Sequence, residues 1–114
     1  MQRLTASTQR LDAVDLQDQV TVRSCTAVTN CQRGNKAKLV GRLRAVVYTP
    51  SETVPTLEAE LFDGSDSLDL VWLGRRRIAG IEPGRRIVVR GRVGVHNGRR
   101  VIYNPWYELI TPAA

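Results

Sequence analysis

The sequence predicts an all-β fold: a five-stranded Greek-key barrel with a short helical turn between its third and fourth strands, preceded by an N-terminal arm. Three observations carry this expectation. From Lys36 onward apolar residues recur at every second position, Asp-Gly, Pro-Gly and Asn-Gly turns separate the runs, and the first run is long with a glycine in its middle. The 114 residues suffice for one ordinary domain, and with 42% apolar and 25% charged residues a packed core is expected. No uninterrupted apolar run exceeds four residues, so neither a membrane-spanning helix nor the hydrophobic centre of an export signal is expected. Two cysteines are too few for a disulfide scaffold and read as reduced thiols of a cytoplasmic protein.

Residues 1–35 read as the arm. Leu4, Leu11, Val14 and the stretch 16–20 have a weak helical spacing with Asp12, Asp15 and Asp18 on the other side, which places a short helix around residues 8–19. Residues 24–35 are small, polar and turn-prone and read as a connection. The domain proper is expected over 36–110, with a tail at 111–114.

Strand one places Ala37, Leu39, Gly41, Leu43, Ala45 and Val47 on the inner side and Lys36, Lys38, Val40, Arg42, Arg44 and Val46 on the wet side. Gly41 is the expected point of a bulge. After the proline-bounded loop 50–55, Leu57, Ala59 and Leu61 alternate into strand two. Asp63-Gly64-Ser65-Asp66 turns the chain into strand three, which carries Leu68 and Leu70 and ends at Trp72-Leu73-Gly74. Residues 75–80 hold a helical turn at most, and Glu82-Pro83-Gly84 is a turn. Strand four has Ile87, Val89, Gly91, Val93 and Val95 inside and Arg86, Arg90 and Arg92 outside. The Asn97-Gly98 hairpin leads to strand five, which is interrupted at Asn104-Pro105 and ends near Ile110. Closing these strands removes two reactive edges. A small sandwich or an SH3-like barrel fits the strand count but accounts less well for the long first strand.

Residues 57–73 resemble the second and third strands of bacterial OB-fold domains. Ile81-Glu-Pro-Gly-Arg85, Val89-Arg-Gly-Arg-Val93 and Asn104-Pro-Trp-Tyr-Glu-Leu109 continue the pattern in order. Together they are similar to the wedge domain of the bacterial branch-migration helicase and to anticodon-binding OB domains. The resemblance covers residues 36–110 and implies a nucleic-acid-binding barrel, DNA or RNA, single-stranded or branched. No phosphate-loop motif is present, so it implies no ATPase.

Charge is distributed unevenly. Residues 75–100 hold nine arginines against the single Glu82, whereas residues 36–74 carry more acids than bases, and the chain as a whole is +6. Such a block attracts polyanions. It also suits the outer faces of strands kept soluble by arginine. The candidate phosphate contacts are Arg75, Arg76, Arg77, Arg90, Arg92, Arg99 and Arg100, with Arg42 and Arg44 extending the stripe. Arg75 to Arg77 read equally as a solvated turn with one arginine paired to a carboxylate. Phe62, Trp106 and Tyr48 are the candidate stacking rings. Trp106 is expected to point outward, while Trp72 and Tyr103 read as core. The outer positions Glu58, Glu60 and Asp69 would repel phosphate from the face that OB domains ordinarily use.

No catalytic group is expected. His96 beside the hairpin reads as a solvated side chain, and Cys25 and Cys31 are spaced for neither a redox pair nor a zinc site. No metal or other cofactor is expected. The sequence therefore reads as a non-enzymatic, low-specificity nucleic-acid binder without a membrane partner. The alternative is a protein-interaction or oligomerisation module acting through Trp106 or the N-terminal arm.

Overall fold

Period-two patterning produces the strands, and a one-residue irregularity in the longest of them decides which side chains reach the core. The computed structural model describes residues 5–111, with side chains from Leu11 onward. Its strands are β1 (Lys36–Thr49), β2 (Thr56–Phe62), β3 (Ser67–Leu73), β4 (Arg86–Arg92), β5 (Gly94–His96), β6 (Arg99–Tyr103) and β7 (Trp106–Leu109). They form one seven-stranded sheet in the order β5-β6-β3-β2-β1-β4-β7. Every neighbouring pair is antiparallel except β3 with β6, which is parallel.

The expected closed five-stranded barrel is corrected in strand count and in closure. Strand four breaks at Val93, whose N–H and C=O pair with Asn35 and Gly34 of the arm instead of a neighbouring strand. Strand five breaks at Asn104-Pro105, where Asn104 has a φ of 49° and its side-chain oxygen accepts the Leu73 N–H. No ladder joins the two ends of the order, although β5 resumes one residue after β4. The expected helical turn after strand three is absent: residues 74–80 form only turns and bends.

Inward residues of β1 to β4 and β6, among them Leu39, Leu43, Leu61, Leu70, Ile87 and Ile102, build the main core. Trp72 is buried there, edge-on to Tyr107 at 6.0 Å between ring centroids. The bulge of β1 lies between Leu43 and Ala45, not at Gly41. Past it the parity inverts, so Val46 and Tyr48 pack on the core while Ala45 and Val47 face solvent. Gly41 serves a close approach instead: a Cβ there would strike the Phe62 carbonyl. Val95, expected inside, is exposed because β5 turns away after the break.

The helix α1 (Thr5–Val22) is longer than the 8–19 segment expected and lies along β1. Its Val20 packs on Val40 and Val88, which belong to the outer side of the sheet and would otherwise be wet. Full burial of such a side chain contributes about 1.5–3 kcal/mol. The first four residues of the arm, and residues 112–114 of the expected tail, lie outside the described residues. No described helix is long and apolar enough to cross a membrane.

A buried carboxylate fastens the arm. Asp63, fully buried, accepts the Val28 N–H at 2.7 Å through Oδ2. Through Oδ1 it accepts the Ser65 N–H at 2.9 Å, the Ser65 hydroxyl at 2.6 Å and the Asp66 N–H at 3.2 Å. Next to it Gly64 has a φ of 94° and meets the Ala13 carbonyl of α1, so no other residue fits there without moving the helix. Asp63→Ala leaves the Val28 N–H without an acceptor. It is expected to lower stability by about 2–4 kcal/mol, read as a lower urea midpoint at unchanged slope, and Asp63→Asn, which keeps one acceptor, is expected to lose less.

Candidate nucleic-acid interface

Antiparallel pairing of β1 with β4 sets residues of like charge directly opposite one another. The outer face of this ladder reads Lys36 opposite Arg92, Lys38 opposite Arg90, Val40 opposite Val88 and Arg42 opposite Arg86. Like charges in directly opposed positions destabilise a sheet unless an anion answers them. At the Arg42–Arg86 rung the anions come from α1. Asp12 lies 2.7 Å from Arg42 and 3.8 Å from Arg86, and Asp15 pairs with Arg86.

The other two cationic rungs have no such answer. Among the described residues no carboxylate forms an ion pair with Lys36, Lys38, Arg90 or Arg92. Lys38 donates to the Arg23 carbonyl at 3.3 Å and Arg92 to the Gly34 carbonyl, which orients these cations without neutralising them. Trp106 on β7 stands opposite Arg90, whose guanidinium lies 4.2 Å from the centre of the indole ring. The ring remains 48% exposed, pointing outward as expected. The four cations, with Thr26, Ala37 and Gly91, line a shallow cleft of about 370 Å³.

The remaining candidate residues are dispersed. Arg44 lies 4.3 Å above the Phe62 ring, as Arg90 does above Trp106, but unlike Arg90 it is answered by a carboxylate, Glu60 at 3.3 Å. Arg99 grips Asp69 with two hydrogen bonds of 2.9 Å and reaches Glu60 at 3.4 Å; the Asp69 hydrogen bonds push its pKa further above the ordinary value. Arg100 pairs with Asp66 at 3.1 Å and also donates to the carbonyls of Cys31 and Thr29, tying the arm to β6. Arg75, Arg76 and Arg77 are exposed without an ion pair among the described residues, and Arg76 lies 5.9 Å from the Tyr48 ring. This second cationic group sits at the far end of β1 from Lys36. The arginine stripe is therefore divided into a free ladder, a free loop and an internally paired set.

Lys36 and Lys38 were absent from the candidate contacts, although their place on the wet side of strand one was legible. What was missing was the register that sets them against Arg90 and Arg92. Tyr103, expected in the core, is 47% exposed beside Leu73 in a groove over the outer face of β2, β3 and β6. It follows Ile102, whose inward position forces its neighbour out. Burial pushes both cysteine thiols above their ordinary pKa, which disfavours the reactive thiolate.

No protein-family model matches the chain, and no curated protein matches it. Among solved structures, one of RecG bound to a three-way DNA junction matches with a TM-score of 0.62 and 21% identity. The match covers 75% of this chain and 12% of that one, so this chain spans only a small part of RecG. The likeness shows a shared fold.

The Asp66 carboxyl is held below its ordinary range, first by the Ser67 N–H and then by Arg100. Its depressed pKa contributes stability above the unfolded-state value, and this is lost as pH falls through the folded one. In an NMR titration Arg100→Gln is expected to move the Asp66 midpoint only part of the way back, because the backbone N–H remains.

Proposed function

We propose that this domain is a non-catalytic binder of nucleic acid that holds the sugar–phosphate backbone on the β1–β4 ladder, with Trp106 as a stacking platform. The observation that carries the reading is the pair of unanswered like-charge rungs, Lys36 with Arg92 and Lys38 with Arg90. Two cations opposite one another twice, with no ion-pairing carboxylate among the described residues, favour the approach of an external polyanion. The likeness in fold to part of RecG, solved on a DNA junction, supports the same reading, as does the OB resemblance of the sequence. Base-edge readout is not part of the proposal: guanidinium and ammonium groups meet phosphate, and an indole stacks on any base. Arg99 and Arg100 act as internal struts in this reading, and Arg75 to Arg77 as a secondary cationic loop.

A second reading rests on the groove beside Tyr103. There Leu73 and Tyr103 are exposed around a floor of Val71 and Val101, with Glu58 and Asp69 at its rim, in a space of about 510 Å³. With an apolar floor and with Asp69 already paired to Arg99, which also lines it, this face suits a protein partner better than phosphate.

Two measurements separate the readings. Fluorescence anisotropy of a labelled single-stranded oligonucleotide should show affinity falling with salt, with a log–log slope of about −2.8 if four phosphates are neutralised. Replacing Lys36, Lys38, Arg90 and Arg92 together by Gln should abolish retention, while Arg99→Gln leaves it nearly unchanged. A salt-independent affinity, or equal losses at Arg99 and at the ladder, would overturn the assignment. Trp106→Ala should weaken single-strand binding by about 1–3 kcal/mol if one base stacks there. An unchanged Kd removes the indole from the site.

A further inference from the structure

We infer that Arg42 and Arg86 form a third cationic rung of the same interface, closed in the free protein by α1, whose Asp12 and Asp15 carboxylates stand in the place of phosphates. This rests on the ladder being the binding surface. The rung belongs to the same outer face and register as the two below it. Residues two apart on a strand are about 7 Å apart, so the face from Lys36 to Arg42 is a track of about 20 Å. A strand running along this face from the lower rungs would cross the apolar Val40–Val88 rung before it met Arg42 and Arg86.

The helix is held there in part by Leu16 and Val20, which pack on the sheet, and in part by ion pairs that a polyanion can replace. Asp12 meets Arg42 through a single guanidinium nitrogen, and the Arg42 Nε is buried without a partner, so the two-pronged pairing that makes such contacts strong is not achieved. The carboxylates and guanidinium groups are all between about a quarter and a half exposed, where salt screens them. Of the apolar side chains of α1 whose burial is described, Leu16 and Val20 are buried and Ala13 is half-buried, whereas Leu11, Val14 and Val22 face solvent. The chain beyond the helix has its own anchorage: Asp63 holds Val28, and Arg100 holds the Thr29 and Cys31 carbonyls. Ser24, with a φ of 56°, marks the joint between the two. Lifting the segment that carries Asp12 and Asp15 exposes Leu16, Val20, Val40 and Val88, a cost that contacts along all three rungs have to exceed, while residues from Val28 onward stay in place.

The test begins with wild type and the four-Gln ladder variant on a labelled mixed-sequence single strand; equal binding by both removes the interface itself and this inference with it. Given ladder-dependent binding, Asp12→Asn/Asp15→Asn is expected to bind at least about tenfold more tightly at low salt. Its log–log salt slope should steepen by about 1.4, the value for two added phosphates. Adding Arg42→Gln/Arg86→Gln should cancel both gains, which a merely loosened helix would not predict. In wild type, saturating oligonucleotide should speed hydrogen exchange at the amides of residues 12–15. Unchanged affinity and slope in the Asn variant, or amides of residues 12–15 that stay as protected as in the free protein, would overturn the inference while leaving the lower rungs intact.

Discussion

The arrangement of the molecule depends on one buried carboxylate. Asp63 sits in the turn between β2 and β3 and gathers three hydrogen bonds from its own turn and one from Val28, thirty-five residues earlier. Taking a carboxylate out of water is costly, and only this full set of donors makes the position tolerable. The donors come from two distant parts of the chain, so Oδ2 has its donor only when the arm is in place. From that point the arm's path is fixed. The short 3-10 turn Val28–Asn30 is set against the sheet, Arg100 closes over it, and α1 is delivered onto the outer side of β1 and β4.

That delivery divides the protein's positive charge between internal and external partners. Arg44 and Arg99 answer Glu60 and Asp69, which explains how these two carboxylates can share one sheet face, and Arg100 answers Asp66 of the turn. Arg42 and Arg86 answer the helix. What remains is a compact set of cations at one end of a single ladder, beside an exposed indole, and a separate arginine loop at the other end of β1. Total charge would not distinguish these groups. Only the pairing does.

Much of the fold was legible because local rules and tertiary structure agree. The alternation after Lys36, the Asp-Gly and Asn-Gly turns, the burial of Trp72 and the outward direction of Trp106 all follow from short-range patterning. The failures share one physical cause, that long-range partners override a local signal. Val93 looks like a continuing strand residue, yet its hydrogen bonds are taken by Gly34 and Asn35. A single extra residue at Arg44 inverts every side chain after it, so Val47 and Tyr48 exchange their expected places. The arginines of the hairpin looked free because their carboxylate partners lie 30 or more residues away. The ladder cations were present in the sequence as separate facts and became a site only through register.

The pairing of Val93 with Gly34 and Asn35 bears on how portable this module is. A cut at residue 35, where the composition changes, would pass through the seam that stitches the first segment to the break between β4 and β5. The excised remainder would keep every long strand. It would lose the backbone partners of Val93 at the corner where the sheet's first strand follows its sixth in covalent order, and would strip the cover from Val40 and Val88. The unit that can be transplanted or fused without penalty therefore begins ahead of the helix and not at the first strand.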